Sequence, residues 1–289
     1  MKSLCVAFLF LFYLSSIQAQ PFINPEADEK LAFINHLIRI DAFEDAIYMI
    51  NQMDSSCNAE FDDTLNYLKA WAFYHMQELD SSSFYFDKVT TQSSQYYKSV
   101  FFSAYDRAYL GDFETGITKL SALSLEDSNL LRLQNFEMAG YSLLKRDFPS
   151  FETYAKKFDY RFYANASEEK KMNDHYKNML EYKQKSPFVA GALSALIPGL
   201  GKIYAGRIGE GFSAFFVIGS LGLVTFENWR KDGFLDPKTL FFGSILTTYY
   251  IGNIWGSVFS VKIEQQEFND AVNQYILFDL HIPLRNVFN

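Results

Sequence analysis

The chain has 289 residues, with 49% apolar and 18% aromatic residues and a net charge of −8, enough for one or two domains. The charge is uneven: residues 20–150 carry 10 Lys/Arg against 20 Asp/Glu. So acidic a front half excludes a nucleic-acid surface, because phosphate binding needs clustered Lys and Arg.

The first element is a targeting segment. Lys2 is followed by the apolar run Leu4–Leu14 and then by Ser15, Ser16, Ile17, Gln18 and Ala19. A positive start, a short apolar run and a small final residue make a secretory signal peptide over residues 1–19, with cleavage after Ala19. The run is too short to span a bilayer comfortably, which takes about 20 residues; the alternative is an uncleaved anchor. With Cys5 in that segment, Cys57 stands alone in the mature chain and no internal disulfide forms.

Residues 20–160 read as helices in pairs. Four turn segments resemble one another, and their residues Asp41, Asp80, Asp112 and Asp147 are 39, 32 and 35 residues apart. Leu65, Leu68 and Ala72 share one helical face before the second turn. Phe113, Ile117 and Leu120 share another after the third. Asp in such a turn caps the next helix, and Gly111 accepts positive φ. A helix pair recurring near 34 residues resembles tetratricopeptide repeats, most closely in the unit from Ala104 to Leu120. The expectation is a solenoid of three or four pairs with a concave face for another protein's peptide or helix. The competing expectation is a plain helical spacer whose groove its own side chains fill.

A polar helical connector occupies residues 161–185. Ser167 is its expected cap, Met172, Tyr176 and Met179 its narrow stripe, and Lys170, Lys171, Lys177, Lys183 and Lys185 a cation row. Beside a bilayer such lysines attract anionic lipid; otherwise the segment is a solvated linker.

Residues 186–261 form the membrane domain. Runs of 16, 16 and 23 uncharged residues lie between Lys185 and Lys202, Glu210 and Glu227, and Lys238 and Lys262. The first two reach roughly 24 Å and the third is long enough to span. The expectation is a third run that crosses and a first pair that forms either a tight transmembrane hairpin or a re-entrant one. Three spans are favoured over two. Pro198-Gly199 breaks the first run, and a break in lipid must be covered by protein or sit at the interface. Tyr204 then lies at headgroup level, Arg207 meets phosphate or Glu210, and Gly206 and Gly211 turn the chain.

Pro198-Gly199-Leu200-Gly201-Lys202-Ile203-Tyr204-Ala205-Gly206-Arg207, followed by Gly211-Phe212, resembles the TM2 domain over about residues 186–226. The segment from Tyr250 to Val258 is similar to a Gly-Asn-x-x-Gly segment of bacterial envelope proteins that join a repeat domain to such a hairpin. These resemblances imply bacterial origin and membrane residence and carry no activity with them. TM2 domains end after two spans, so the third run and the tail depart from the pattern.

Within the third run, Gly252 and Gly256 are four apart, a spacing that lets helices pack closely. Asn253 lies between them, and its amide needs a partner on another helix. The alternatives for Asn253 are helix packing or a binding or permeation role; for the glycines, packing inside the chain or a homo-oligomer. Residues 262–289 read as an amphipathic tail carrying Ile263, Phe268, Val272, Tyr275 and Ile276, with an irregular end at His281–Leu284.

No catalytic, cofactor or metal residue is assigned. His36, His75, His175 and His281 lack ligand spacing, and no nucleophile elbow occurs. The expectation is therefore an all-α, non-enzymatic scaffold, multi-pass in a bacterial inner membrane, with its repeat domain in the periplasm. Its partners would be the bilayer and another protein. The alternative is an accessory of a transport system, with a small-solute or lipid site in the hairpin.

Overall fold

The computed structural model describes residues 25–53 and 59–288, so the expected signal peptide, Cys5 and Cys57 lie outside the described residues. Thirteen helices and no strand occur among them. The chain divides into two compact units, residues 1–123 and 124–289.

The first unit holds α1 (Pro25–Arg39), α2 (Phe43–Asn51), α3 (Ala59–His75), α4 (Leu79–Phe86), α5 (Tyr96–Leu110) and α6 (Phe113–Ser121). Each helix buries one stripe against its chain neighbours. Ile34 and Leu37 of α1 meet Ala46 and Ile50 of α2 and Leu65 and Leu68 of α3. Asp63 ties α3 to the loop before α5, accepting from the Thr90 amide at 2.9 Å and the Thr90 hydroxyl at 2.6 Å. Asp87 gathers Arg107 at 2.7 Å, Lys119 at 2.7 Å and the Ser103 hydroxyl at 2.6 Å.

One turn recurs. Asp41, Gln77, Gly111 and Arg146 have positive φ and stand 36, 34 and 35 residues apart. Each is followed by a residue whose amide reaches back five positions: Ala42 to the Leu37 carbonyl, Glu78 to Phe73, Asp112 to Arg107 and Asp147 to Ser142, at 2.8–3.0 Å. This is the Schellman closure, in which the bond returns to a carbonyl left open by the ending helix. Asp112 and Asp147 also cap the next helix. The second turn corrects the expected register. Gln77 and Glu78 form it, while Asp80 lies inside α4, so the irregular steps measured on the aspartates become nearly even.

The second unit holds α7 (Ser128–Leu144), α8 (Phe148–Ala155), α9 (Ala166–Glu181), α10 (Pro187–Leu196), α11 (Leu200–Tyr204), α12 (Ile208–Asp232) and α13 (Pro237–Phe288). The expected boundary at residue 160 falls inside this unit, because α7 packs on the far half of α13. A Cβ on Gly140 would sit 2.4 Å from Leu280 Cδ2. The 52 residues of α13 extend roughly 78 Å. Its residues 262–288 are therefore not a separate tail. Val272, Ile276, Leu280 and Leu284 are buried, and His281–Leu284 is helical rather than irregular.

The connector is not a solvated linker. Glu168, Glu169, Met172 and Met179 are buried on α9, and Lys171 pairs with Asp279 at 3.2 Å. The helix begins at Ala166 with Asn165, not Ser167, in the capping position, and no side chain caps it.

One helix among the described residues, α12, is long and apolar enough to cross a membrane. Only 11% of its apolar window is buried, which separates it from the core helix of a soluble protein. The third run, expected to be the surest of three spans, is less apolar than α12. It lacks charge, but Thr247, Thr248, Asn253, Ser257 and Ser260 dilute its apolar character.

Candidate functional site

The site is the Pro198–Gly199 break and the helices that close over it. Ser186 caps α10, accepting from the Val189 amide at 3.4 Å, and Pro187 suits the first turn because its missing donor is not needed there. The helix ends at Leu196, before Pro198. Gly199 has φ +83°, and α11 carries the chain back. The Ser186 amide donates to the Tyr204 hydroxyl at 3.1 Å, so both ends of the segment from 186 to 204 lie together. That segment doubles back on itself, so it is not the straight first span of the three expected.

The return is possible because two helices touch through backbone. A Cβ on Gly199 would lie 2.0 Å from the Gly211 carbonyl oxygen, and one on Gly201 would lie 1.9 Å from that of Ala190. No side chain larger than hydrogen fits at such distances.

A helix break strands backbone donors and acceptors, and burial makes each costly. Here α13 supplies the partners. The Gly199 amide donates to Asn253 Oδ1 at 3.2 Å, and Asn253 Nδ2 donates to the Ser194 carbonyl at 3.4 Å. The Gly201 amide donates to Ser194 Oγ at 3.0 Å. Ser194 and Ser257 hydroxyls share a bond of 2.6 Å, and the Tyr250 hydroxyl donates to the Ala195 carbonyl at 2.6 Å. Ser194, Asn253 and Ser257 are buried, so the network is closed by protein.

A belt of charge crosses the open end. Arg207 follows Gly206 (φ +94°) in a fifth copy of the Schellman turn, its amide donating to the Lys202 carbonyl at 2.9 Å. Its guanidinium reaches Glu210 and Glu267, each at 3.1 Å. Lys185 lies 3.8 Å from Glu264, which also accepts from the Tyr182 hydroxyl at 3.0 Å. Burial first, then that carboxylate, push the Tyr182 phenol up to about 12.

The structure therefore gathers Pro198, Gly199, Gly201, Tyr204, Gly206, Arg207, Gly211 and Asn253 in one place. Gly252 and Gly256 join differently. A Cβ on Gly252 would meet nothing within 4 Å, and one on Gly256 would meet only the end of the Lys202 side chain, Cε at 3.6 Å and Nζ at 4.0 Å. Neither is a point of close approach between helices of this chain. Gly252 instead lines a cleft of about 730 Å³ between α12 and α13, with Lys202, Gly209, Glu210, Ala214, Val217 and Ile218.

Sequence reasoning missed Ser194, Tyr250, Glu264 and Glu267 as partners. Their signal was the period: Tyr250, Asn253 and Ser257 fall on one helical face, and Glu264 continues it. It also missed a second cluster. His175 Nε2 lies 2.7 Å from Asp279 Oδ2 and its ring stacks on Tyr275, while Lys171 bridges Asp279 and Glu168. Among the described residues, no group of His, Cys, Asp and Glu has metal-binding geometry.

Two acids stand apart. Asp106 and Glu137 are buried, and their carboxylate oxygens have no hydrogen-bond partner. Burial pushes Asp106 up to about 8, against the favourable influence of Ser82, whose hydroxyl lies near without bonding, and of Arg107. Burial likewise raises Glu137 well above the carboxylate range. No known family model, curated protein or solved structure matches this chain.

Proposed function

We propose that the chain is a non-enzymatic, multi-pass protein of a bacterial inner membrane. Its first unit is a tetratricopeptide-like repeat domain on the periplasmic side, and it binds another protein. The observation that carries the binding reading is an aromatic row on α3. Trp71 stacks on Tyr67 at 6.1 Å and on Tyr74 at 5.5 Å, and meets Phe102 edge-on at 5.1 Å. Lys98 Nζ lies 4.4 Å above the Trp71 ring. Tyr67, Trp71, Tyr74 and Lys98 are half-buried, so the row keeps an accessible face. Accessible Tyr and Trp are enriched at protein-binding surfaces and among their strongest contacts. The even recurrence of the turn supports the repeat reading.

The membrane reading rests on α12 and on its exposed Phe212, Phe215, Phe216, Leu223, Phe226 and Trp229. We read two spans, α12 and the less apolar first part of α13, beside a re-entrant α10–α11; in α13, Tyr250, Asn253 and Ser257 bond the α10–α11 break, and Thr247, Thr248 and Ser260 bond carbonyls of their own helix. The proximity of Ser186 to Tyr204 and of Lys185 to Glu264 supports an even number of crossings. Residues 165–185 and 262–288 then share one side, the exported one if the N-terminal segment is a signal peptide.

The test is site-specific photocrosslinking of the full-length protein in its native membranes. A photoreactive residue at Tyr74 should give one discrete adduct that Trp71→Ala abolishes. The same probe at Tyr48, which is exposed on α2, should give none. Equal adducts from both positions, or none from Tyr74, would defeat the scaffold reading.

A further inference from the structure

We propose that the cleft between α12 and α13 holds one phosphatidylethanolamine molecule, its phosphate on Lys202, its ammonium on Glu210 and an acyl chain along α12. The proposal rests on the membrane reading of the second unit and not on the partner reading of the first.

The cleft is charged at one end and has one apolar wall. Lys202, Gly209 and Glu210 line its head, Ala214, Val217 and Ile218 of α12 make the apolar wall, and Thr248, Tyr249 and Asn253 of α13 face it. That gradient follows α12 inward from its first turn, the direction in which a bilayer changes from headgroup to hydrocarbon. About 730 Å³ lies in the range of small-molecule sites. The space at the head is open: a Cβ on Gly209 or Gly252 would meet nothing within 4 Å.

The two charges at the head are loosely joined. Lys202 Nζ stands 3.6 Å from Glu210 Oε2, whereas a charge-assisted bond of this kind closes to about 2.7–2.9 Å. Glu210 is held instead by Arg207, through its other oxygen. The Lys202 side chain is 21% exposed, and its ammonium keeps donors for an incoming oxygen anion. The Glu210 side chain is half exposed and accepts a primary ammonium. A phosphate and a primary amine on one headgroup match this pair. A choline head has no N–H to give Glu210, and a glycerol head brings no cation to it. A water-soluble solute would leave the apolar wall unmatched.

The experiment is native mass spectrometry of the full-length protein, extracted in mild detergent and exposed to equal phosphatidylethanolamine, phosphatidylcholine and phosphatidylglycerol. The wild type should retain one phosphatidylethanolamine in preference to the others. Lys202→Gln should lower retention of all three by about tenfold, the loss of one charge-assisted bond. Glu210→Gln should keep binding but lose the preference for the amine head. Gly252→Leu adds a side chain in open space and should block retention while the helical circular dichroism is unchanged. It tests the cleft even if Lys202→Gln misfolds. Retention equal in wild type and Gly252→Leu, or no preference in the wild type, overturns the site. A protein that stays monodisperse without detergent would overturn the membrane reading itself, a separate result.

Discussion

Asn253→Ala is the sharpest test of how the helix break is held. The substitution removes the acceptor of the Gly199 amide at 3.2 Å and a weaker donor to the Ser194 carbonyl at 3.4 Å. Hydrogen bonds between membrane helices average about 0.6 kcal/mol, because an unfolded side chain finds other partners in the bilayer. The Gly199 amide is different. It is a buried backbone donor beside a broken helix, and leaving it unpaired costs about 1–3 kcal/mol. The expected loss is therefore about 2 kcal/mol, some thirtyfold in the folding equilibrium. Reversible denaturation of the detergent-solubilised protein by sodium dodecyl sulfate, followed by circular dichroism, measures it. The control is the adjacent Gly252→Ala, whose Cβ meets nothing within 4 Å and which should gain about 0.5–1 kcal/mol from helix propensity. An Asn253→Ala protein within about 0.5 kcal/mol of wild type, below the cost of one buried donor, would refute the account of the break.

Three further outcomes follow from other contacts. Gly201→Ala places a carbon 1.9 Å from the Ala190 carbonyl oxygen, so α10 and α11 must separate; the same denaturation should show a loss of more than about 3 kcal/mol. Gln77→Gly relieves a non-glycine residue at φ +62° and should stabilise the first unit by about 0.5–1 kcal/mol, read by urea unfolding with Trp71 fluorescence in a Trp229→Phe, Trp255→Phe background. Asp106→Asn should change how that unfolding depends on pH. The folded pKa of about 8 lies above the ordinary 3.8, so below pH 4 both states hold the proton and nothing is lost. Between pH 4 and 8 the unfolded chain ionises while the folded one does not, and wild-type stability falls by up to several kcal/mol. The variant should be flatter across that window and relatively most stable at pH 8; parallel curves would show that Asp106 is not held neutral.

The sequence made some of this legible and hid the rest for physical reasons. Asn253 could be found because an amide inside an uncharged run needs a partner, and Gly199 because Pro198-Gly199 must break a helix. Ser194 and Ser257 carried no such signal, since a serine on a helix can satisfy itself on its own backbone, as Ser257 also does on the Asn253 carbonyl at 2.8 Å. The spacing of Gly252 and Gly256 gives a face but not what faces it; within this chain the backbone-to-backbone contacts through glycine are at 199, 201 and 211. Counting uncharged residues made the third run the surest of three spans, but hydroxyl and amide groups are uncharged without being apolar. The turn register slipped at Asp80 because Gln77 adopts positive φ, a conformation sequence normally assigns to glycine or asparagine.

The face of α13 explains why one helix runs unbroken past both the break and the connector. Steps of three and four join Tyr250, Asn253, Ser257, Val261, Glu264, Phe268, Val272, Ile276, Leu280 and Leu284. The chemistry along this row changes with what it meets. Tyr250, Asn253 and Ser257 meet open backbone groups and offer hydrogen bonds. Val261 is buried beside Ala190, Ala205 and Tyr204. Glu264 meets Lys185, and Phe268 stacks on Tyr182 at 3.8 Å. Beyond them the row is aliphatic against α7 and α9, with Asp279 beside it taking Lys171 and His175. A kink anywhere along it would rotate the later positions off their partners, so the helical register itself holds Asn253 against Gly199.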